Sequence, residues 1–504
     1  MTRDQIQQLI EDGRFAAEGQ SFQLAETHIS WVLLSGKNAY KIKKPVKFDF
    51  LDFSTLEKRR YYCQRELELN SRFCQGIYLE VQAVVEGPAG LSIGGKGVII
   101  DYALHMKRLD GSRQMNLLLE QNLVTPFHMQ QVGEKLSIFH TYTDVIERPP
   151  DIGGMQASFS DLASVANRLK ALLGPSVKKK LMESLVFGRS FLGLHAERLL
   201  ERGRQGFIID GHGDLHSRNI FLLEEPIIFD CIEFNDAFAR VDLLYDLAFL
   251  VMDLVDRGYR PAAQGLLQAW NERCEDDAGM ALLPLFLSIR AAVRAKVEGF
   301  AGHGAPACGY LDLASRALEP VPPRLIAIGG RSGTGKSTVA RLLAPGMGAM
   351  PGAFVLRSDV IRKRLFGAEP EATLPAEAYA EAVSTEVFER LAARAEVLLE
   401  AGRTVIADGV FGQGWQRQRI AAAAAARGAP FAGFWLEAAQ AILEDRVAGR
   451  TGDASDADVE VVRAQAAMDT SRIDWRRIDA AGGAAGVAAT IRQALGQPLP
   501  AGDR

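Results

Sequence analysis

Hydrophobic and polar positions near the start of the chain predict a helix followed by a hairpin. Residues 4–18 have the spacing of a short amphipathic helix. Residues 28–34 and 39–43 favour strands, and the turn residues 35–38, Ser-Gly-Lys-Asn, separate them. The two strands are therefore expected to pair in one sheet.

A second helix and further strands extend this pattern into a small mixed lobe. Ser54 is the predicted N-cap, and Glu57 three residues later would complete a capping box. That helix is expected to run through residues 65–69. More strands are predicted around residues 79–85 and 98–106.

Beyond residue 116 the pattern changes to long helices. A loop and two short strands at residues 207–230 interrupt them, and helices resume from residue 242 to about residue 318. Pro320-Val321-Pro322-Pro323 then forms a stiff linker.

Past the linker, apolar runs alternate with helical segments. Residues 325–328 are a continuous apolar run, as expected for a parallel strand buried on both faces, and residues 404–407 and 431–436 are similar. Strands that alternate with helices predict a doubly wound α/β domain with a parallel sheet.

Composition narrows the classes of function. The chain has 504 residues, which is too long for one hydrophobic core. Its net charge of -4 and pI of about 6.1 give no support for binding to nucleic acid or to an anionic membrane. The five cysteines contain no Cys-x-x-Cys pair, so a structural zinc site is not expected, and the polar N-terminus lacks a signal core. A cytoplasmic location is predicted.

Residues 212–219 carry the first chemical signal. Asp214 and Asn219 lie five residues apart on one loop, and Asp230 follows one hairpin later. A loop aspartate can accept the proton of an attacking hydroxyl, while an asparagine and a second aspartate hold magnesium. The hairpin is expected to bring Asp230 beside Asn219.

This motif resembles that of the aminoglycoside phosphotransferase family, relatives of the protein kinases, over roughly residues 20–316. The resemblance implies a bilobal α+β fold in which Asp214 is the catalytic base and Asn219 and Asp230 are metal ligands. It also implies a phosphate-contacting lysine paired with a helix glutamate, and a hinge that contacts adenine. The candidates are Lys41 (alternatively Lys43), Glu66 (alternatively Glu68) and Met106.

A second phosphate signature follows the linker. The sequence fits Gly-x-x-x-x-Gly-Lys-Ser, in which backbone N–H groups and a helix N-terminus hold phosphates. The lysine reaches the β- and γ-phosphates, and the serine hydroxyl coordinates magnesium. The predicted nucleotide-binding residues are Gly330, Arg331, Ser332, Gly333, Thr334, Gly335, Lys336, Ser337 and Thr338.

Residues 325–496 resemble small-molecule P-loop kinases of the gluconate kinase and shikimate kinase type. By that resemblance Asp359 positions or activates the acceptor hydroxyl, and Asp408 is the acid near magnesium. Arg446 and Arg450 would come from a closing lid and neutralise the transferred phosphoryl group. Arg362 and Arg417 are candidate clamps for an anionic substrate.

The sequence thus predicts two kinase-like domains. The first spans residues 1–318, with a small lobe at about 20–110 and a helical lobe at about 111–318; the linker spans 319–324 and the P-loop domain 325–504. ATP, Mg²⁺ and small-molecule hydroxyl acceptors are expected. The alternative is a nucleotide-sensing protein in which one half binds ATP without phosphorylating an acceptor. Antibiotic resistance ranks low, since no acidic cluster for a polycationic drug follows Asp242.

Overall fold

The computed structural model describes most of the chain in two units. The first unit comprises Met1–Gly154 and Leu194–Asp253, and the second comprises Met155–Gly193 and Leu254–Arg504. The described residues are 1–12, 23–48, 50–88, 90–147, 149–157, 175–369, 372–449 and 454–496. Among them, no helix is both long and apolar enough to span a membrane.

The N-terminal part of the chain, through residue 256, contains twelve strands and seven helices among the elements that the structure describes. The strands are β1 (Gln23–Glu26), β2 (Ser30–Ser35), β3 (Asn38–Lys43), β4 (Lys47–Phe48), β5 (Leu51–Asp52), β6 (Tyr78–Gly87), β7 (Gly90–Ile93), β8 (Val98–Lys107), β9 (Ile208–Asp210), β10 (Ile220–Phe221), β11 (Ile227–Ile228) and β12 (Arg240–Asp242). The helices are α1 (Arg3–Asp12), α2 (Leu56–Ser71), α3 (Met115–Glu120), α4 (Pro126–Tyr142), α5 (Pro175–Arg204), α6 (Asp236–Ala239) and α7 (Leu243–Asp256).

A six-stranded antiparallel sheet in the order β1-β2-β3-β8-β6-β7 forms the base of the first unit. The predicted hairpin is confirmed, with Ser35 opposite Asn38. Alternation along β3 places Tyr40 and Ile42 in the core cluster of this sheet. The intervening lysines of β3 therefore point to the opposite face, toward α2.

The predicted cap of α2 is wrong by one residue. Thr55, not Ser54, is the N-cap, and its hydroxyl accepts a hydrogen bond from the Lys58 N–H at 3.3 Å. The Ser54 hydroxyl instead donates to the carboxylate of Asp52 at 2.6 Å. The Ser54 N–H also donates to the same Asp52 oxygen at 3.0 Å, so Ser54 belongs to a local turn that precedes the helix.

The second unit is built on a parallel sheet. Its strands are β13 (Leu325–Gly330), β14 (Phe354–Arg357), β15 (Val405–Asp408), β16 (Phe431–Glu437) and β17 (Arg476–Asp479), in the order β14-β15-β13-β16-β17. All four pairings are parallel. The helices are α8 (Arg260–Cys274), α9 (Leu283–Ala301), α10 (Gly304–Ala317), α11 (Lys336–Leu343), α12 (Ser358–Leu365), α13 (Glu381–Glu400), α14 (Gly414–Ala426), α15 (Gln440–Ala448), α16 (Val459–Ala466) and α17 (Ala484–Ala494). The predicted two-part fold class is confirmed.

The division between the units does not coincide with the predicted linker at residues 319–324, since residues 254–318 group with the P-loop domain. Helix α8 lies along β14, an edge strand of the parallel sheet. The Gln268 amide donates to the Val355 carbonyl at 2.7 Å and accepts from its N–H at 2.9 Å. Gln264 donates to the Ala353 carbonyl at 2.9 Å. These glutamines hydrogen-bond backbone groups of the edge strand that would otherwise be open to water or to pairing with another chain.

Candidate active sites

The loop at residues 212–219 is held by buried carboxylates. Asp246 on α7 accepts the backbone N–H groups of His212 and Gly213, each at 2.8 Å. Burial alone would raise the pKa of Asp246, but these bonds and His140 outweigh it and lower the pKa to about 2. Gly213 has a φ of +82°, and a Cβ there would lie 2.8 Å from the Phe238 carbonyl oxygen. Asp246 thus supports the loop from helix α7.

The two predicted magnesium ligands of the first unit, Asn219 and Asp230, lie at the two ends of one hairpin. Ile220 pairs with Ile228, and the Phe229 N–H donates to the Asn219 carbonyl at 3.1 Å. Asp230 has a φ of +63° and its N–H donates to the Tyr78 hydroxyl at 3.2 Å. Asn219 and Asp230 therefore lie side by side at the end of the hairpin.

The orientation of Asn219 suits an oxygen-ligand site. Its amide nitrogen donates to the Asp214 carbonyl at 3.0 Å, which turns that nitrogen toward the loop at residues 212–219. The side chains of Asp214 and Asp230 are 40% and 41% exposed. Carboxylate and amide oxygens are ligands that Mg²⁺ accepts, so these residues fit the predicted metal.

Two lysines of β3 share one glutamate. The Lys41 ammonium lies 2.7 Å from Glu66 and 2.5 Å from Asp230. The Lys43 ammonium lies 2.6 Å from the other oxygen of Glu66 and also pairs with Glu233. Burial alone would raise the pKa of Glu66, but the two lysines lower it to about 2. Burial raises the pKa of Glu233.

The two lysines differ in solvent exposure, and this difference indicates which of them faces the candidate metal residues. Lys43 is 1% exposed and sits between Glu66 and Glu233, whereas Lys41 is 13% exposed and contacts the half-exposed Asp230. Lys41 is thus the lysine on the side of the candidate metal residues. Glu68, the alternative partner, is not needed for either ion pair.

Met106 lies near the end of β8, where it pairs with Ala39 of β3. Its side chain packs on a cluster that includes Leu104 and is joined by Ile227 and Phe229 of the hairpin. An apolar position between the sheet and this hairpin is compatible with the predicted contact to an adenine ring. The contact itself stays a prediction.

The P-loop of the second unit has the expected backbone. Helix α11 begins at Lys336, and Gly335 before it is left-handed with a φ of +84°. At Gly333, also at +84°, a Cβ would lie 2.7 Å from the Leu443 carbonyl oxygen. A loop that places N–H groups at the start of a helix in this way is an anion site.

Ser337 and Asp408 meet beside this loop. The Ser337 hydroxyl donates to the Asp408 carboxylate at 2.5 Å, and the Arg357 guanidinium lies 3.5 Å from the same oxygen. The Lys336 ammonium donates to the Arg331 carbonyl at 3.0 Å. A serine hydroxyl next to an aspartate at the end of the neighbouring strand fits the predicted magnesium site.

A cavity of about 720 Å³ extends from the P-loop and is lined by Asp359 and Asp408 among others. Burial raises the pKa of Asp359, and Asp408 adds to that effect while Arg357 and Lys336 oppose it. The structure thus brings Asp359 to the same space as Lys336 and Ser337, as the resemblance implied.

The predicted cationic residues are engaged by protein groups. Arg446 lines the cavity, but its guanidinium donates to the carbonyls of residues 480, 481 and 482 at 2.9–3.0 Å. Arg362 donates to the Ala378 carbonyl at 2.6 Å. Arg417 donates to the Phe411 carbonyl at 2.9 Å and is not among the residues that line the cavity. Arg450 lies outside the described residues.

One functional-site residue was not predicted. The Asp456 carboxylate pairs with Lys363 and with the Tyr379 hydroxyl, and accepts the Leu374 N–H at 3.1 Å. It joins three segments that border the cavity. The acid-rich stretch around it was visible in the sequence, but its partners lie 77–93 residues away.

Relatives cover nearly the whole chain. "Uncharacterized protein Rv2004c" of Mycobacterium tuberculosis (strain ATCC 25618 / H37Rv) is 31% identical over 476 residues, 91% of this chain and 92% of the relative. "Uncharacterized protein Mb2027c" of Mycobacterium bovis has the same identity and coverage. The chain belongs to the family of these mycobacterial proteins.

A family model described as an AAA domain matches residues 325–469. Similar solved structures include a choline/ethanolamine kinase family protein from Mesorhizobium loti (15% identity, 60% of this chain and 90% of that one, TM-score 0.38). Another is a gluconokinase from Sinorhizobium meliloti 1021 (20% identity, 34% and 96%, TM-score 0.24). The family match and the phosphate-binding geometry support ATP-dependent phosphoryl transfer in general.

Proposed function

We propose that the chain is an ATP-dependent phosphotransferase with two sites, each transferring the γ-phosphoryl group of ATP to a hydroxyl group of a small molecule. One observation carries this proposal. The cavity of the second unit joins the phosphate-binding loop and Asp359 in one continuous space, which is what a donor phosphate and an acceptor hydroxyl require.

In the second unit, Lys336 would contact the donor phosphates and Asp359 would accept the proton of the acceptor hydroxyl. The raised pKa of Asp359 makes its carboxylate a better proton acceptor than an exposed aspartate. Arg446 would neutralise the transferred group only after leaving the carbonyls that it now binds.

In the first unit, Asp214 would take the corresponding proton, because its half-exposed carboxylate lies on the loop that Asp246 holds. Lys41 would turn from Asp230 to the nucleotide phosphates while it keeps Glu66. Most of the rate enhancement would come from positioning and charge neutralisation.

Magnesium would be held by Asn219 and Asp230 in the first unit and by Ser337 and Asp408 in the second. It would neutralise charge on the phosphates and orient them. These residues supply oxygen ligands in both units.

The test uses the full chain, ATP and a panel of sugars, aminoglycosides and nucleosides, with ADP and phosphorylated products measured. Asp214→Asn is expected to abolish transfer by the first unit and Asp359→Asn transfer by the second, so the double variant should form no product. Asp4→Asn, which changes an exposed side chain of α1, is the control. ATP hydrolysis or binding without a phosphorylated product would favour the nucleotide-sensing alternative.

A further inference from the structure

The cavity of the second unit has an acceptor side, defined here as its lining residues beyond the P-loop and Asp408. Hydroxyl and amide groups are frequent on this side, and the buried Phe388 adds an aromatic ring. The uncharged polar members are Ser358, Thr373, Tyr379, Ser384, Gln416, Ser455 and Gln465.

The described cations of this cavity hydrogen-bond neutral groups of the protein. Apart from Lys336 they are Arg362 and Arg446, and Arg446 is bound by three backbone carbonyls. Arg362 donates to the Ala378 carbonyl at 2.6 Å and to the Ser384 hydroxyl at 3.3 Å, and its guanidinium lies 5.0 Å from the centre of the Tyr379 ring. The Nε atom of Arg362 is buried and has no hydrogen-bond partner among the described residues. A carboxylate on the acceptor would have to compete with these contacts.

Three carboxylates lie on this side: Asp359, Asp456 and Asp458. Asp456 is held by Lys363, by the Tyr379 hydroxyl and by a backbone N–H. Asp458 caps α16 by accepting the Val461 N–H at 2.9 Å. An anionic acceptor would meet the negative charge of these carboxylates.

What this side offers a ligand is hydroxyl groups, amides and aromatic surface. A polyol has alternating O–H groups that donate and accept, and its C–H faces pack on aromatic rings. Building on the proposed function, we infer that the second unit phosphorylates an uncharged, polyhydroxylated acceptor, such as a sugar or an alditol, in preference to an anionic one. In the transfer, the acceptor O–H loses its proton to Asp359, a new O–P bond forms, the bond from the γ-phosphorus to the bridging oxygen breaks, and ADP leaves.

Matched pairs of acceptors test this inference. Each pair is an alditol and the aldonic acid of the same carbon chain, which differ at one end in a hydroxymethyl group and a carboxylate. The ADP formed only when the acceptor is present, and the phosphorylated product, are measured with the Asp214→Asn protein. Because this variant is expected to lack transfer by the first unit, the signal comes from the second unit. The alditol is expected to show a kcat/KM at least about tenfold higher, because the extra charge is not compensated.

A substitution on the acceptor side gives a second test, which does not depend on which acceptor the unsubstituted protein prefers. Thr373 is exposed on the acceptor side, so Thr373→Lys adds a cation there, and Thr373→Gln is the neutral control of similar length. Thr373→Lys should raise the kcat/KM for the aldonate relative to that for the alditol several-fold, and Thr373→Gln should leave this ratio unchanged.

The outcomes separate this inference from the proposed function. Preference of the Asp214→Asn protein for aldonates would overturn the inference and leave the phosphotransferase intact. Equal ratios in the two Thr373 variants would likewise overturn the assignment of the acceptor side. Failure of every pair to give a phosphorylated product would overturn both the inference and the proposed activity of this unit.

Discussion

Replacing Lys43 with methionine should destabilise the first unit far more than the same change at the neighbouring lysine. Lys43 is 1% exposed and lies between Glu66, which is 0% exposed, and Glu233, which is 4% exposed. The variant keeps most of the side-chain volume but leaves two buried carboxylates, Glu66 and Glu233, with one lysine. That lysine, Lys41, pairs with Glu66 and with Asp230 and makes no ion pair with Glu233. Removing one partner of a buried ion pair costs about 3–5 kcal/mol.

Lys44→Met is the matched control. Lys44 pairs with Glu26 at 2.7 Å, but these side chains are 15% and 36% exposed. Exposed pairs of this kind contribute about 0–1 kcal/mol. Consecutive lysines, one at the end of β3 and one just after it, thus give the same substitution in two environments.

Hydrogen exchange measured by mass spectrometry on peptides that cover β3 is the assay, because it reports local opening without assuming that the whole chain unfolds at once. A loss of 3–5 kcal/mol corresponds to a decrease in protection of about two to four powers of ten. Adding Glu233→Gln to Lys43→Met should restore part of the protection, since one buried charge is removed. Equal protection in Lys43→Met and Lys44→Met would refute the assignment of Lys43 as the buried counter-ion.

The other predictions concern nucleotide binding, pH and the sheet edge. By calorimetry, Lys336→Ala should lower the ATP stoichiometry from two per chain to one, whereas Asp214→Asn should keep two; an unchanged Lys336→Ala titration would contradict the P-loop assignment. Because Lys41 and Lys43 overcome burial and lower the pKa of Glu66 from 4.5 to about 2, its stabilising effect is complete above pH 4.5 and is lost as the pH falls toward 2. Exchange protection of β3 should therefore fall over this range, and less steeply in Glu66→Gln. Gln268→Leu removes both bonds to Val355 and should destabilise the second unit by about 1–3 kcal/mol in thermal unfolding, an effect that an exposed control, Gln440→Leu, should lack.

Local patterns were sufficient to predict the elements that carry the chemistry. The β2–β3 hairpin follows from its turn residues, and the P-loop follows from a buried strand, a glycine-rich turn and a helix start. The placement of Asn219 beside Asp230 follows from the two short strands between them. Each depends on residues close in sequence, so the chain itself fixes the geometry.

Contacts between distant segments could not be predicted in the same way. Alternation placed Lys41 and Lys43 on one face of β3 but did not show that both would bond Glu66, since this depends on how α2 packs. Arg446 has the spacing of a lid residue, yet its partners are backbone carbonyls, which no side-chain pattern reveals. Gln264 and Gln268 look like polar surface positions of a helix, but they bond the edge of a sheet that begins after the linker.

The two sites use one electrostatic arrangement on unrelated folds. In each, a carboxylate proposed to hold the cation is already hydrogen-bonded by a side chain proposed to serve the nucleotide: Asp230 by Lys41 at 2.5 Å, and Asp408 by Ser337 at 2.5 Å. Nucleotide binding must exchange these bonds for bonds to the ligand, so the measured affinity is a difference between two sets of contacts. Substitution of Lys41 or Ser337 therefore has two effects: it removes a contact to the bound ligand, and it removes a hydrogen bond to the carboxylate in the free protein. The measured loss of ligand affinity will then understate the strength of the contact between that side chain and the ligand.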